Sequence, residues 1–216
     1  LPPRIAPFAR GNRTTDYPCF SADGKRLYYG MRKVSTNRRP DRDIFYVERE
    51  NGKWSVPIAV GPSVNTPDME LFSSIDGDGT IYFSRIQRGK GAMIIDLFRS
   101  RQDKGAYQTP ERLGSEINSP FVEAAAYVSP DRRFMIFRSQ RPGGQGRGNE
   151  DTWLSWSERN GGWSTPRTFK LAVNGHRHHL NTQGISSDGK YLFYANNDKG
   201  VQNLWWVSTD RIRSDK

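Results

Sequence analysis

Short apolar stretches alternate with polar turns along this chain, and the alternation recurs. "FSADGKRLYYG" (20–30), "IDGDGTIYFS" (75–84), "VSPDRRFMIFRS" (128–139) and "ISSDGKYLFYA" (185–195) each set an Asp-bearing turn ahead of an apolar, aromatic-rich segment. Downstream of each lies a second segment with a polar start: "DIFYV" (43–47), "DLFRS" (96–100), "DTWLSW" (151–156) and "NLWWVS" (203–208). Three of the four units continue with an aromatic, two residues and a proline: "WSVP" at 54, "YQTP" at 107 and "WSTP" at 163. Asn65, Asn118 and Asn174 follow those prolines at one constant offset.

Each piece predicts a strand or a turn. The Asp-Gly pairs at 23/24 and 188/189 favour tight turns, because glycine takes positive φ without steric cost. "RLYYG" and "YLFYA" are apolar on both faces, as a sheet packed between two others requires. "ERENGKWS" and "ERNGGWS" carry the Asn-Gly or Asn-Gly-Gly signal of a hairpin. Pro57, Pro110 and Pro166 fit an outer edge strand, where a ladder donor is dispensable. Four strands per unit follow, called a, b, c and d. At a period of roughly 53 to 57 residues, such units predict an all-β fold, a β-propeller of four-stranded antiparallel blades. One domain spans residues 1–216, with repeats near 16–65, 66–118, 119–174 and 175–216. The last unit has no W-x-x-P strand behind "NLWWVS", so residues 1–10, with "RIAPFAR", are expected to close a four-bladed ring as its outer strand. The alternative assigns that segment to a further blade of a five-bladed propeller.

Composition agrees with short strands. Only 34% of the 216 residues are hydrophobic, yet 12% are aromatic and 21 are glycine, which suits tight turns better than helix bundles. A single cysteine, Cys19, excludes an internal disulfide and a cysteine-based zinc cluster, and its setting in "DYPCFS" predicts a buried thiol. No run of eighteen apolar residues predicts a transmembrane helix.

Charge turns attention to one face. Lys and Arg number 33 against 23 Asp and Glu, a net +10, which favours polyanionic partners. The b–c loops and the d-to-a crossings of an antiparallel blade emerge on the same side of the disc. The b–c loops are arginine-rich: "RKVSTNRRPDRD" (32–43), "RIQRGKGAMIID" (85–96) and "RSQRPGGQGRGNED" (138–151). Arg38, Arg42, Arg85, Arg88, Arg138 and Arg141 are the candidate ligand contacts, since the guanidinium fork suits carboxylates and phosphates. Glu70 and Glu123, in the crossings "VNTPDME" and "INSPFVEA", join them at the channel mouth, or else hold each crossing through hydrogen bonds. All three histidines fall in the third crossing, "NGHRHHLNTQG". His176, His178 and His179, with Gln183, are candidates for a divalent metal such as zinc or manganese, or for polar loop contacts. The "DGDG" of 76–79 is too short for a calcium loop and predicts a turn.

As a set, these motifs resemble the TolB-like, WD40-like (PD40-type) propeller repeat, with its S-P-D-G-K turn, D-I-[YW] strand and W-S-x-P outer strand. The resemblance implies a periplasmic or secreted interaction platform. The fold, the loop charge and the absence of a nucleophile-base-acid constellation predict a non-catalytic module recognising an anionic glycan, a peptidoglycan fragment or an acidic protein. "HRHHLNTQG" also resembles part of the metal site of oligogalacturonate lyases, which implies the alternative of a metal-dependent lyase or hydrolase of acidic polysaccharide. That resemblance is incomplete, because no histidine remains elsewhere in the chain. Nucleic acid is a less favoured partner, for want of an organised aromatic platform.

Overall fold

The computed structural model describes residues 5–9, 14–33, 41–88, 93–144, 151–169, 172–173, 176–177, 181–186, 188–198 and 201–213. Its sheets form a ring of four antiparallel blades like a β-propeller. In blade 1 the strand order a-b-c-d is Thr14–Phe20, Arg26–Lys33, Asp41–Glu50 and Ile58–Ala59. Blade 2 repeats it with Met69–Ile75, Ile81–Arg88, Met93–Ser100 and Glu111–Arg112, and blade 3 with Glu123–Val128, Phe134–Ser139, Asp151–Trp156 and Arg167–Thr168. Among the described residues blade 4 has three strands, Asn181–Ile185, Tyr191–Asp198 and Val201–Ser208, and runs on into a short helix, Thr209–Arg213.

The a–b turns show why Ser-x-Asp recurs. Ser21 Oγ accepts the Arg26 amide at 2.9 Å and Asp23 Oδ1 accepts the Lys25 amide at 3.0 Å. Ser129 with Asp131, and Ser186 with Asp188, repeat the same pair of bonds. In blade 2 Asp76 does this alone, taking the amides of Asp78 and Thr80 at 3.0 and 2.9 Å, so "DGDG" is a turn. Gly24, Gly79 and Gly189 hold φ between 68° and 82°, and Arg132 holds φ 54° where "PDRR" lacks the glycine.

Successive blades bury one face against the next. Tyr28, Ile44, Phe72 and Phe83 fill the 1–2 interface; Leu97, Met135, Phe137 and Trp153 the 2–3 interface; Phe134, Leu154, Leu192 and Tyr194 the 3–4 interface. Polar stitches run beside them: Gly77 N donates to Pro130 O at 2.7 Å, Ser74 Oγ to Ala126 O at 3.0 Å, and Ile185 N to Tyr127 Oη at 3.1 Å. All four a strands carry a register shift midway, for example between Phe72 and Ser74. Cys19 is partly buried against the 1–2 core rather than fully enclosed, and burial pushes its thiol pKa up.

The closing strand expected from "RIAPFAR" is not formed by its described part. Pro7–Ala9 is a 3₁₀ turn, and Phe8 stacks on Tyr29 at 5.4 Å and meets Trp54 edge-on at 5.9 Å, capping the outward face of blade 1. Phe8 finds there an apolar patch of Leu27, Tyr29, Met31, Phe45 and Val47, and its burial outweighs what a Pro-containing segment gains as an edge strand.

Candidate functional site

One edge of the ring gathers the crossings and the b–c loops. Strand a begins beside the end of strand b in every blade: Thr14 opposes Arg32, Met69 opposes Ile86, Glu123 opposes Ser139 and Asn181 opposes Ala195. Segments entering strand a and leaving strand b therefore emerge together. His176 and Arg177 form a two-residue strand against Ala172 and Val173 within the third crossing.

The crossings are anchored from inside. Asn65 Oδ1 accepts the Ile44 amide at 2.9 Å, and its Nδ2 donates to the Ile44 carbonyl at 3.0 Å. Asn118 does the same to Leu97 at 2.7 and 2.9 Å and adds Leu113 O at 2.8 Å. Each amide side chain thus acts as a one-residue strand partner for strand c. Asn174 lies outside the described residues.

Glu70 and Glu123 repeat a second motif, both with no exposed surface. Glu70 accepts from the Thr66 amide and hydroxyl at 3.1 and 2.6 Å and from Arg85 Nε at 2.9 Å. Glu123 accepts from the Ser119 amide and hydroxyl at 3.1 and 2.5 Å and from Ser139 Oγ at 2.8 Å, with Arg141 Nη2 at 3.4 Å. Burial pushes the Glu70 carboxyl above its usual range, against the opposing pull of Thr66 and Arg85. Neither carboxylate offers a surface for a ligand to touch, and each holds its own crossing instead.

The arginines divide in the same way. Arg85 also donates to Val64 O at 2.9 Å and lies over the Phe83 and Phe98 rings. Arg141 donates to the carbonyls of Glu116 and Ile117 and lies over Phe137 and Trp153. Arg42 pairs with Asp16 at 2.7 Å, and burial raises the Asp16 carboxyl while Arg42 lowers it. Arg138 is partly exposed, opposite Ala124 on one side and Thr152 on the other. Arg38 lies outside the described residues, as do the side chain of Arg88 and those of His176 and Gln183, and His178 and His179 entirely. Among the described residues no group of three or more His, Cys, Asp and Glu side chains could hold a metal ion, and no helix is long and apolar enough to cross a membrane.

Sequence reasoning found the repeated Asn, Glu and Arg positions, and the hydrogen bonds by which Glu70 and Glu123 hold their crossings, but not the partners that make them. The signal was present in the constant spacing: Thr66 and Ser119 precede Glu70 and Glu123 by four residues, which is the distance the carboxylate spans back to the turn.

No protein-family model and no curated protein sequence matches the chain. Among solved structures it is similar to TolB from Acinetobacter baumannii, with TM-score 0.56 and 14% identity over 91% of this chain and 41% of that one. It is similar as well to the α-L-arabinofuranosidase PaAbf62A from Podospora anserina, TM-score 0.51 and 12% identity over 92% of this chain and 65% of that one. An endo-arabinase from Bacteroides thetaiotaomicron gives TM-score 0.51 and 16% identity over 85% of this chain and 71% of that one. The likeness is one of fold, and the chain spans about two fifths of the TolB length.

Proposed function

We propose that the chain is a non-catalytic binding module of the cell envelope or extracellular space, taking an acidic glycan or acidic protein segment on its arginine-bearing edge. What carries the reading is the commitment of the two carboxylates on that edge. A general acid or base must reach a substrate proton, whereas Glu70 and Glu123 have no exposed surface and spend their oxygens on Thr66, Arg85, Ser119 and Ser139. Arg42, Arg85 and Arg141 then serve as framework, each already bonded to protein oxygens. The anion falls to the arginines of the b–c loop segments 32–43, 85–96 and 138–151, Arg38, Arg88 and Arg147 foremost; Arg147, like Arg38, lies outside the described residues. Loops on a rigid scaffold are where binding residues concentrate, and the net charge of +10 favours acidic partners at long range.

The test is titration with oligogalacturonate, repeated in competition with DNA. Saturable binding of the uronate that weakens with salt and resists DNA supports the reading; preference for DNA would replace it with nucleic-acid binding. Turnover of the oligomer, dependent on zinc or manganese and lost in His178→Ala, would replace it with the lyase or hydrolase alternative.

A further inference from the structure

In blades 1 to 3 the outer strand leaves strand c at one level. The carbonyls of Ile44, Leu97 and Thr152 take the last amides, those of Val60, Leu113 and Phe169, at 3.2, 3.0 and 2.8 Å. In blade 2 the Asn118 side chain then closes on Leu97, and the chain passes on into blade 3. What strand c does beyond that level differs from blade to blade. In blade 3 Asp151 alone precedes Thr152, and in blade 1 the extension is Asp41, Arg42 and Asp43. A short edge and a charged edge are two ways in which proteins keep a strand from pairing with another chain. Blade 2 has neither, because Met93, Ile94 and Ile95 carry strand c onward, paired on their inner side with Arg88, Gln87 and Ile86 of strand b.

Main-chain groups alternate sides along a strand, so Ile95 and Met93 turn their N–H and C=O outward as Leu97 does. Among the described residues none bonds to that outer side. Met93 is 60% exposed, Ile94 48%, and Ile95 is half-buried. An apolar edge with open donors and acceptors is a template for strand addition. We infer that this edge takes an extended polypeptide segment of alternating acidic and apolar residues, added as an outer strand above Asn118. The inference rests on the acidic-partner reading and narrows it to protein, since a polysaccharide presents no regular row of amides and carbonyls to match the edge. Charge selects the partner. Arg88 opposes Met93, Lys90 falls between them in sequence, and Arg112, its side chain 47% exposed, binds Asp96 at the base of the edge. A second copy of the chain would bring the same cations against these, whereas acidic residues on an incoming strand complement them.

The test titrates a capped, fluorescently labelled heptapeptide of alternating Glu and Val into the 216-residue protein, with oligogalacturonate titrated in parallel. The expected result is saturable peptide binding that slows hydrogen exchange at the Met93 and Ile95 amides, read by NMR. Ile95→Pro and Met93→Pro each remove an outward donor and no bond of the b–c ladder, as proline on an open edge allows. Each should weaken the peptide at least about tenfold and leave both oligogalacturonate affinity and fold unchanged. The same peptide with every amide N-methylated keeps its charges and should not bind, which tests the strand without altering the protein. Oligogalacturonate binding without peptide binding overturns this inference and leaves the acidic-partner reading standing; failure of both ligands overturns both. Peptide binding that is indifferent to the prolines and to methylation, or that leaves the Met93 and Ile95 amides unprotected, overturns the strand addition. So does self-association of the protein that the two prolines abolish, which would give the edge to a second copy.

Discussion

Replacing Asn118 with alanine removes three hydrogen bonds at once from a side chain only 3% exposed. The Leu97 carbonyl keeps a bond from the Leu113 amide at 3.0 Å, so the groups that lose their partner outright are the Leu97 amide and the Leu113 carbonyl. An unsatisfied buried donor costs about 1–3 kcal/mol and each of the other two bonds contributes about 1 kcal/mol, for a loss of about 3–5 kcal/mol. For a chain of this length that lowers Tm by about 10 °C. Asn118→Asp retains an acceptor for the Leu97 amide but turns a carboxylate oxygen toward the Leu97 and Leu113 carbonyls, and should cost as much. Asn65→Ala loses two bonds in a half-buried setting, where Ile44 O also keeps the Val60 amide at 3.2 Å, and should cost about 2 kcal/mol. Urea and thermal unfolding of the three variants measure these losses. An Asn118→Ala protein within about 1 kcal/mol of wild type, or one more stable than Asn65→Ala, would refute the idea that the repeated asparagines complete the ladder of strand c.

A Cβ at Gly77 would stand 2.6 Å from the Pro130 carbonyl oxygen across the 2–3 interface, so Gly77→Ala should lose about 1–3 kcal/mol in urea unfolding. Phe8→Ala uncaps Tyr29 and Trp54 and should lose about 2 kcal/mol; an unchanged melting temperature would show that blade 1 does not depend on this cap. The Ser186 hydroxyl and the Lys190 amide hold the Asp188 carboxyl below its usual pKa. Its stabilising effect is therefore full above the unfolded value of about 3.9 and lost as pH falls through the lower folded value. Asp188→Asn should make the acid limb of the melting-temperature profile shallower below about pH 4, and an identical limb would contradict that.

The blades were legible because each carries its own local code: the Ser-x-Asp turn, the two-sided apolar strand, the edge proline. What lay beyond reach was set by contacts between units. The Asn65 and Asn118 spacing signalled a turn, but its bonds to Ile44 and Leu97 exist only once strand c lies alongside. Arg85 and Arg141 look like surface charge in sequence, yet their carboxylate and carbonyl partners sit 15 to 25 residues away and take up much of their donor capacity. The N-terminal segment misled for the same reason. Its Pro7 matched an outer strand, while the patch that captured Phe8 is assembled from two strands of blade 1.

The proposed function turns on whether the b–c loop arginines take an acidic ligand. Calorimetric titration of oligogalacturonate into wild type and into Arg38→Ala/Arg88→Ala/Arg147→Ala measures it most directly. The expected result is saturable binding whose logarithm falls linearly with that of salt concentration, an affinity at least about tenfold weaker in the triple variant, and equal melting temperatures. No binding at low salt, or the same affinity with the three arginines gone, would contradict it.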